Sequence, residues 1–456
     1  MPASSELPVR KIVLTASLLA VLAAAAIGWA AWNLNRYLHA HRAEIAAHIS
    51  EALGRPVRFS SLGVSWHRGI AIAVEDLHVP DDAAFQERGD LLAIPSLLVV
   101  VRLVPALRGR LELARIELVQ PRLTVVRTRA GLNTNALGKA RREQEEPGHR
   151  RAQLPGLGAI AVRDGTLVLI DRGDASAGRL RVDHLQLEAR GTRAGWPVRF
   201  KLSGALASAQ PNLVASGELR LEEEGEPATL TAHLSVARLD LERALDLARP
   251  WLAQLPLSGN GEIALRADVA ASGTTAEFRV GLRADEANVS WSRFFQKKSG
   301  QRLRIAAHVE ARPGGVEIDE GSLAAGSIEG KWRGHVPRKP PSDARPRFLL
   351  ELPAADLAEL AKLVPPLQKL QPSGAVRGKV EFVLREHAPA DLNGNLRLAS
   401  VDLVAPSGIR ISAQAATVRL SGRQIELSET QAHLAGRQVR LEATIGDYAT
   451  KTLEFT

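Results

Sequence analysis

The sequence predicts a mainly β fold: an N-terminal transmembrane helix, then an elongated antiparallel β-sheet with a few short helices. Three observations predict it. An uncharged 21-residue stretch runs from Ile12 to Trp32. Beyond residue 54 apolar and polar residues alternate with a period of two, the spacing of strands with one dry and one wet face. Turns containing glycine, asparagine or aspartate interrupt that alternation.

Residues 1–11 form a short tail that reads as cytoplasmic, and 12–32 form the span. At about 1.5 Å per residue the stretch reaches roughly 31 Å, the thickness of a hydrocarbon core. The anchor residues are Ile12, Leu18, Leu22, Ile27, Trp29 and Trp32, with the two tryptophans where an interfacial belt would sit. A cleaved signal ending near Ala23–Ala26 and a buried soluble helix are the alternatives. Basic residues flank the span almost evenly, Arg10 and Lys11 before it, Arg36 and Arg42 after it. Residues 33–54 continue as a helix, because Leu34, Leu38, Ile45, Ile49 and Leu53 recur at helical spacing and Gly54 stops it.

Strands follow over 55–137, a charged linker over 138–158, a first β-repeat over 159–335, a proline-rich basic loop over 336–347, and a second β-repeat over 348–456. The clearest alternation places Ile263, Leu265 and Val269 on one face. The same parity holds for Phe278, Val280 and Leu282, and for Leu303, Ile305 and Val309. Turns are expected at Ser272-Gly273, Pro313-Gly314-Gly315, Asn393-Gly394-Asn395 and Ser421-Gly422. Two amphipathic helices interrupt the strands, near 240–254 and 355–370. They are copies: Asp240 and Asp356, Pro250 and Pro366, and Pro256 and Pro372 each lie 116 residues apart. A repeat of that length points to a quasi-linear array. The two aspartates, at helix starts, are read as caps.

Composition excludes more than it selects. Aromatics are 4% of residues, so the interior must be aliphatic, and a basic chain (net charge +9) so poor in stacking rings is not expected to bind single-stranded nucleic acid. With no cysteine, thiol catalysis and Cys-ligated zinc are excluded. No nucleophile elbow, P-loop, dinucleotide fingerprint or H-E-x-x-H motif is present, and the carboxylates sit on the wet strand face. His39, His41 and His48 lie on a wet helix rather than in a metal site. The expectation is therefore no enzyme, no cofactor and no metal.

The stretch from Gly54 to Leu137 carries a resemblance. The "GRPV" of Gly54–Val57, the "VEDLHV" strand, the turn at Pro105–Gly109, "IELVQPRLTVVR" with its mid-strand Pro121, and the Gly-x-Asn of Gly131–Asn133 together resemble the AsmA-like family of bacterial envelope proteins. The "PLSG" and "QPSG" of the repeats are similar to that family's body. The resemblance implies an inner-membrane anchor with a cytoplasmic N-terminus and a periplasmic body. It also implies a curled β-groove of the bridge-like lipid-transfer type, phospholipid as ligand, and a role in moving it between inner and outer membranes and in outer-membrane homeostasis. Family members often run longer, so a short or truncated member is expected. The residues alone leave two outcomes open, a trough for acyl chains lined by the nine residues from Ile263 to Val309 named above, or two sheets closed on each other. A rival from another class is a scaffold that docks outer-membrane or periplasmic proteins by strand addition.

Overall fold

The computed structural model describes residue 28 and residues 32–455 except 66–70, 83–84, 86–88, 103–111, 129–130, 136–156, 173–177, 193–196, 221–226, 253–256, 292–294, 338–344, 386–387, 405–406 and 449–451. The expected span over 12–32 lies outside them apart from Gly28 and Trp32. The turn at Pro105–Gly109 and nearly all of the linker over 138–158 lie outside them too, as does the middle of the basic loop over 336–347. Among the described residues no helix is long and apolar enough to cross a membrane. The chain is mainly β with few short helices, and it divides into two compact units, 1–175 with 183–196, and 176–182 with 197–456.

In the first unit, helical residues 32–40 turn at His41 into α1 (Arg42–Leu53). Gly54 ends α1 at φ 70°, a left-handed conformation that glycine adopts without a Cβ clash. The strands are β1 (Ser61–Ser65), β2 (Ala71–Pro80), β3 (Asp90–Val101), β4 (Leu113–Val119), β5 (Arg122–Thr128), β6 (Gly131–Leu132), β7 (Leu157–Asp171) and β8 (Gly178–Thr192), the last divided between the units. β1, β2 and β3 form an antiparallel meander. Leu38, Ile45, Ile49 and Leu53 pack onto a core that includes Phe59, Leu62, Val74, Leu77, Leu91 and Ile94. Four residues of the helical spacing read from the sequence are thus the stripe that covers this sheet, while the fifth, Leu34, is exposed.

Two expectations change here. β4 and β5 run parallel to β7, not antiparallel. Pro121 stands between β4 and β5 rather than inside one strand. Having no N–H, it cannot donate to a ladder, so pairing is interrupted there, with Gln120 at φ 51°, and resumes in the same register at Arg122. The Pro121 carbonyl still accepts from the Thr166 amide at 2.8 Å.

The second unit carries β9 (Val198–Leu206), β10 (Leu213–Arg220), β11 (Thr229–Asp240), α2 (Leu241–Leu252), β12 (Leu257–Ser272), β13 (Thr275–Arg283), β14 (Ala287–Trp291), β15 (Phe295–Lys297), β16 (Leu303–Arg312), β17 (Gly315–Ala325), β18 (Ile328–Pro337) and β19 (Arg347–Asp356). α3 (Leu357–Leu363), α4 (Pro365–Gln368), β20 (Ser373–Arg385), β21 (Ala388–Val404), β22 (Arg410–Gly422), β23 (Gln424–Leu434), β24 (Arg437–Asp447) and β25 (Thr452–Phe455) follow. One antiparallel ladder runs β9 to β13, passes to β16, and continues in chain order to β25. The first residues of β12 instead pair with β14, which pairs with β15.

Two-residue turns set the registers. Ala435 and Gly436, both at positive φ, join β23 to β24 in the manner of a mirror-image turn, which matches strand twist. Asn393-Gly394-Asn395, expected as a turn, lies inside β21. A Cβ on Gly394 would stand 2.1 Å from the Lys379 carbonyl oxygen, so glycine here serves close strand approach.

The repeat has a structural counterpart. β11 bulges between Val236 and Leu239 just before α2, and β19 bulges between Leu352 and Ala355 just before α3, at the same offset as the aspartates. Asp240 accepts from the Arg243 amide at 2.9 Å, and Asp356 from the Ala358 amide at 2.7 Å, so both cap their helices. Leu241 and Leu357, which follow them, are buried.

Candidate functional site

Residues directly opposite in neighbouring strands share a face, so register decides whether the alternation of one strand continues into the next. In the second unit it does. Val269 opposes Phe278, Phe278 opposes Val309, and Val309 opposes Ile318. The adjacent row runs Leu265, Leu282, Ile305, Leu323. Between them Ala267, Val280, Ala307, Gly321, Trp332, Leu350 and Val380 form a third row across seven strands. It extends through Gly394, Leu420, Ile425 and Ile445 to Leu453.

Of the nine candidate lining residues, Leu265, Val269, Phe278, Val280, Leu282, Ile305 and Val309 thus meet on one face. Leu303 shares that face opposite Ala325. Ile263 opposes Leu239 at the fork where β12 leaves β13 for β14. Ile263 and Leu303 are buried, at 8% and 5% exposure, and the other seven are half-buried. The opposite parity, including Arg266, Asp268, Glu277, Arg279 and Arg304, is exposed.

Sequence reading missed a further device. Trp332 opposes Gly321 and Phe348 opposes Gly334, and a Cβ on either glycine would stand about 2.5 Å from the facing ring. Phe200 lies against Gly217 in the same way. The glycines leave room for the rings to lie down on the neighbouring strand, so the aromatic surface is spread along the sheet. The signal, an in-phase glycine next to an aromatic on the following strand, is visible only once the register is known.

Cover over this face is local. α2 packs on β11 and β12, and α3 on β15, β19 and β20. A Cβ on Gly259 would stand 2.5 Å from Leu241, which places the start of α2 on the apolar side of β12. Below it a buried ammonium holds the β14–β15 hairpin. Lys297, fully buried, donates to the carbonyls of Ala284, of Asp285 at 2.6 Å and of Ala287 at 2.7 Å. Burial pulls its pKa below the usual lysine value, against the opposing pull of Asp285 and Glu286. Asp285 in turn resists its own desolvation through the Leu303 amide and Arg304, which hold its carboxyl below the ordinary range.

The first unit explains two of the motif residues. Arg55, from "GRPV", donates to Asp81 at 3.2 Å and to the Asn133 carbonyl at 2.7 Å. Asn133, from the Gly-x-Asn, is fully buried; its amide donates to Asp81 and to the Thr124 carbonyl, both at 3.0 Å, and its side-chain oxygen accepts from the Val126 amide at 2.9 Å. Arg55, Asp81 and Asn133 form a satisfied staple rather than a reactive centre. His41 and His48 each bond a carbonyl of their own helix, and among the described residues no group of three or more histidines and carboxylates could hold a metal.

Comparison with curated proteins gave no match, and comparison with solved structures gave none. A family model described as YhdP protein matches residues 1–405, most of the chain, and the chain therefore belongs to the YhdP protein family.

Proposed function

We propose that this chain is a membrane-anchored, non-enzymatic envelope protein that binds phospholipid acyl chains on the apolar face of its second unit. On this reading it is an AsmA-like protein of the inner membrane with a periplasmic body. It contributes to lipid transfer between inner and outer membranes and to outer-membrane homeostasis. The observation that carries the reading is the continuity of the apolar rows. Leu265, Val269, Phe278, Val280, Leu282, Ile305, Val309 and Leu350 stay half-buried on one face, with Ile318, Val380 and Leu420 of the same rows buried, while the other face is charged. Two sheets closed on each other would bury such rows as fully as Ile263 and Leu303 are buried. A half-buried aliphatic trough gains about 0.8 kcal/mol for each methylene it takes from water, while headgroups remain at the open side.

The test is native mass spectrometry with lipid extraction on the full chain purified from a bacterial envelope. Several phospholipids per chain are expected, and Val280→Asp or Leu350→Asp should lower that number with the circular dichroism spectrum unchanged. A stably folded, lipid-free chain would refute the reading and leave the strand-addition scaffold in its place.

A further inference from the structure

The wet face of the second unit is not uniformly charged. One row on it runs Arg266, Gly281, Ala306, Ser322, Lys331, Glu351, Lys379 and Asn395 by register, crossing from β12 to β21. The row beside it, on the side of the β12 N-terminus, carries Arg283 opposite Arg304, and further on Arg377 opposite Arg397. The row on the other side is mixed: Asp268, Glu320 and Glu381 stand there among Arg279, His308 and Arg333. The first two rows together carry Arg266, Arg283, Arg304, Lys331, Arg377, Lys379 and Arg397 against two carboxylates, Glu329 and Glu351, so they form a net basic strip two rows wide.

The strip is recessed. Small residues, Gly281, Ala306, Ser322 and Ala324, make the floor of an open depression of about 680 Å³ walled by Arg266, Arg283, Arg304 and Lys331. A second depression, of about 600 Å³, lies between Lys331, Arg377, Lys379 and Arg397 and shares Lys331 and Pro353 with the first. Its carboxylate Glu351 is already engaged by Lys379 at 2.7 Å. That hydrogen bond, with Lys379, Arg333 and Lys331 nearby, holds Glu351 below the ordinary carboxylate range. Arg377 and Arg397 stand directly opposite each other, a pairing that costs free energy when nothing lies between them, and neither makes an ion pair with a described residue.

We propose that this strip docks an extended acidic segment of a partner protein, independently of whether the apolar face binds lipid. Eight strands at about 4.8 Å spacing give a track of about 34 Å, the length of roughly ten extended residues. A recessed track lets the carboxylates of a single chain reach the floor between the arginines, whereas a flat bilayer would meet only the rim. No aromatic side chain stands on the first row, so the stacking that single-stranded nucleic acid needs is missing from it.

The test uses the full chain in nonionic detergent and fluorescence anisotropy with two labelled twelve-residue peptides, one alternating Glu and Ser, the other Gln and Ser. The acidic peptide should bind, more weakly as salt rises, and the neutral one should not. Arg377→Ser with Arg397→Ser should weaken binding at least tenfold, and Lys331→Ser alone should weaken it measurably. Arg437→Ser with Arg440→Ser on β24, the same loss of charge elsewhere, should change it less than twofold. Equal losses from the two double variants would reduce the effect to net charge and overturn the proposal. Binding of anionic phosphatidylglycerol vesicles without binding of the acidic peptide would overturn it in favour of a membrane surface.

Discussion

Replacing Asn133 by alanine tests whether the buried staple of the first unit carries stability. The side chain makes three hydrogen bonds, to the Val126 amide, the Thr124 carbonyl and Asp81. Val126 is fully buried, so water cannot replace the lost acceptor. Two backbone groups left without partners cost roughly 1–3 kcal/mol each, and Asp81 keeps Arg55, so the expected loss is about 2–6 kcal/mol. The assay is hydrogen exchange read by mass spectrometry on peptides covering β5 and β7, with β22–β23 peptides as reference. At about 1.4 kcal/mol per decade, exchange by local opening should accelerate between about thirtyfold and about twenty-thousandfold. An acceleration below about tenfold would refute the accounting and mean that Val126 and Thr124 find other partners. Arg55→Met should cost a similar about 3–5 kcal/mol, because it strands the buried Asp81 carboxylate.

Other consequences follow from the second unit. Lys297→Met removes one ammonium that ties the Ala284, Asp285 and Ala287 carbonyls together, and should increase exchange over the described residues of 284–299; unchanged protection there would argue against the clamp. Gly321→Val should displace the Trp332 ring and cost about 1–3 kcal/mol by overpacking, measured by urea unfolding; a neutral result would mean that the ring does not lie on that glycine. Asp356→Ala should cost about 1 kcal/mol through loss of the α3 cap, with increased exchange confined to residues 357–363. For pH, Glu351 and Asp402 have folded pKa values below the ordinary 4.5 and 3.8, held there chiefly by hydrogen bonds from Lys379 and Arg410. Their contribution is complete above those ordinary values and is lost as pH falls through the lower folded values. Urea midpoints should therefore decline below about pH 4.5, and Lys379→Met should shallow the decline; an unchanged slope would remove Glu351 from the account.

Much of this was legible in the residues because each signal was local. Alternation fixes which side of a strand is dry, so the shared parity of Leu265, Val280 and Ile305 needs no tertiary information. The caps at Asp240 and Asp356 and the stop at Gly54 depend on the backbone within a turn of themselves, which is why spacing alone exposes them. What misled were residues whose local meaning is reversed by a neighbour distant in sequence. Asn393-Gly394-Asn395 has turn composition, yet the closeness of Lys379 puts it inside β21. Pro121 reads as part of one strand, yet the pairing with β7 is interrupted there and divides it into β4 and β5.

The sequence by itself determined the β character, the dry and wet faces, the capped helix starts and the duplicated segment, because these follow from side-chain period and backbone preference over a few residues. Only the tertiary structure decided that the dry faces join in register from β9 to β24, that rings lie on glycines across strands, and that Arg55, Asp81 and Asn133 meet. It also decided that Arg266, Arg283, Arg304, Lys331, Arg377, Lys379 and Arg397 line one net basic strip. Register and proximity arise from pairing between segments tens of residues apart, and no local pattern specifies which partner a strand will take.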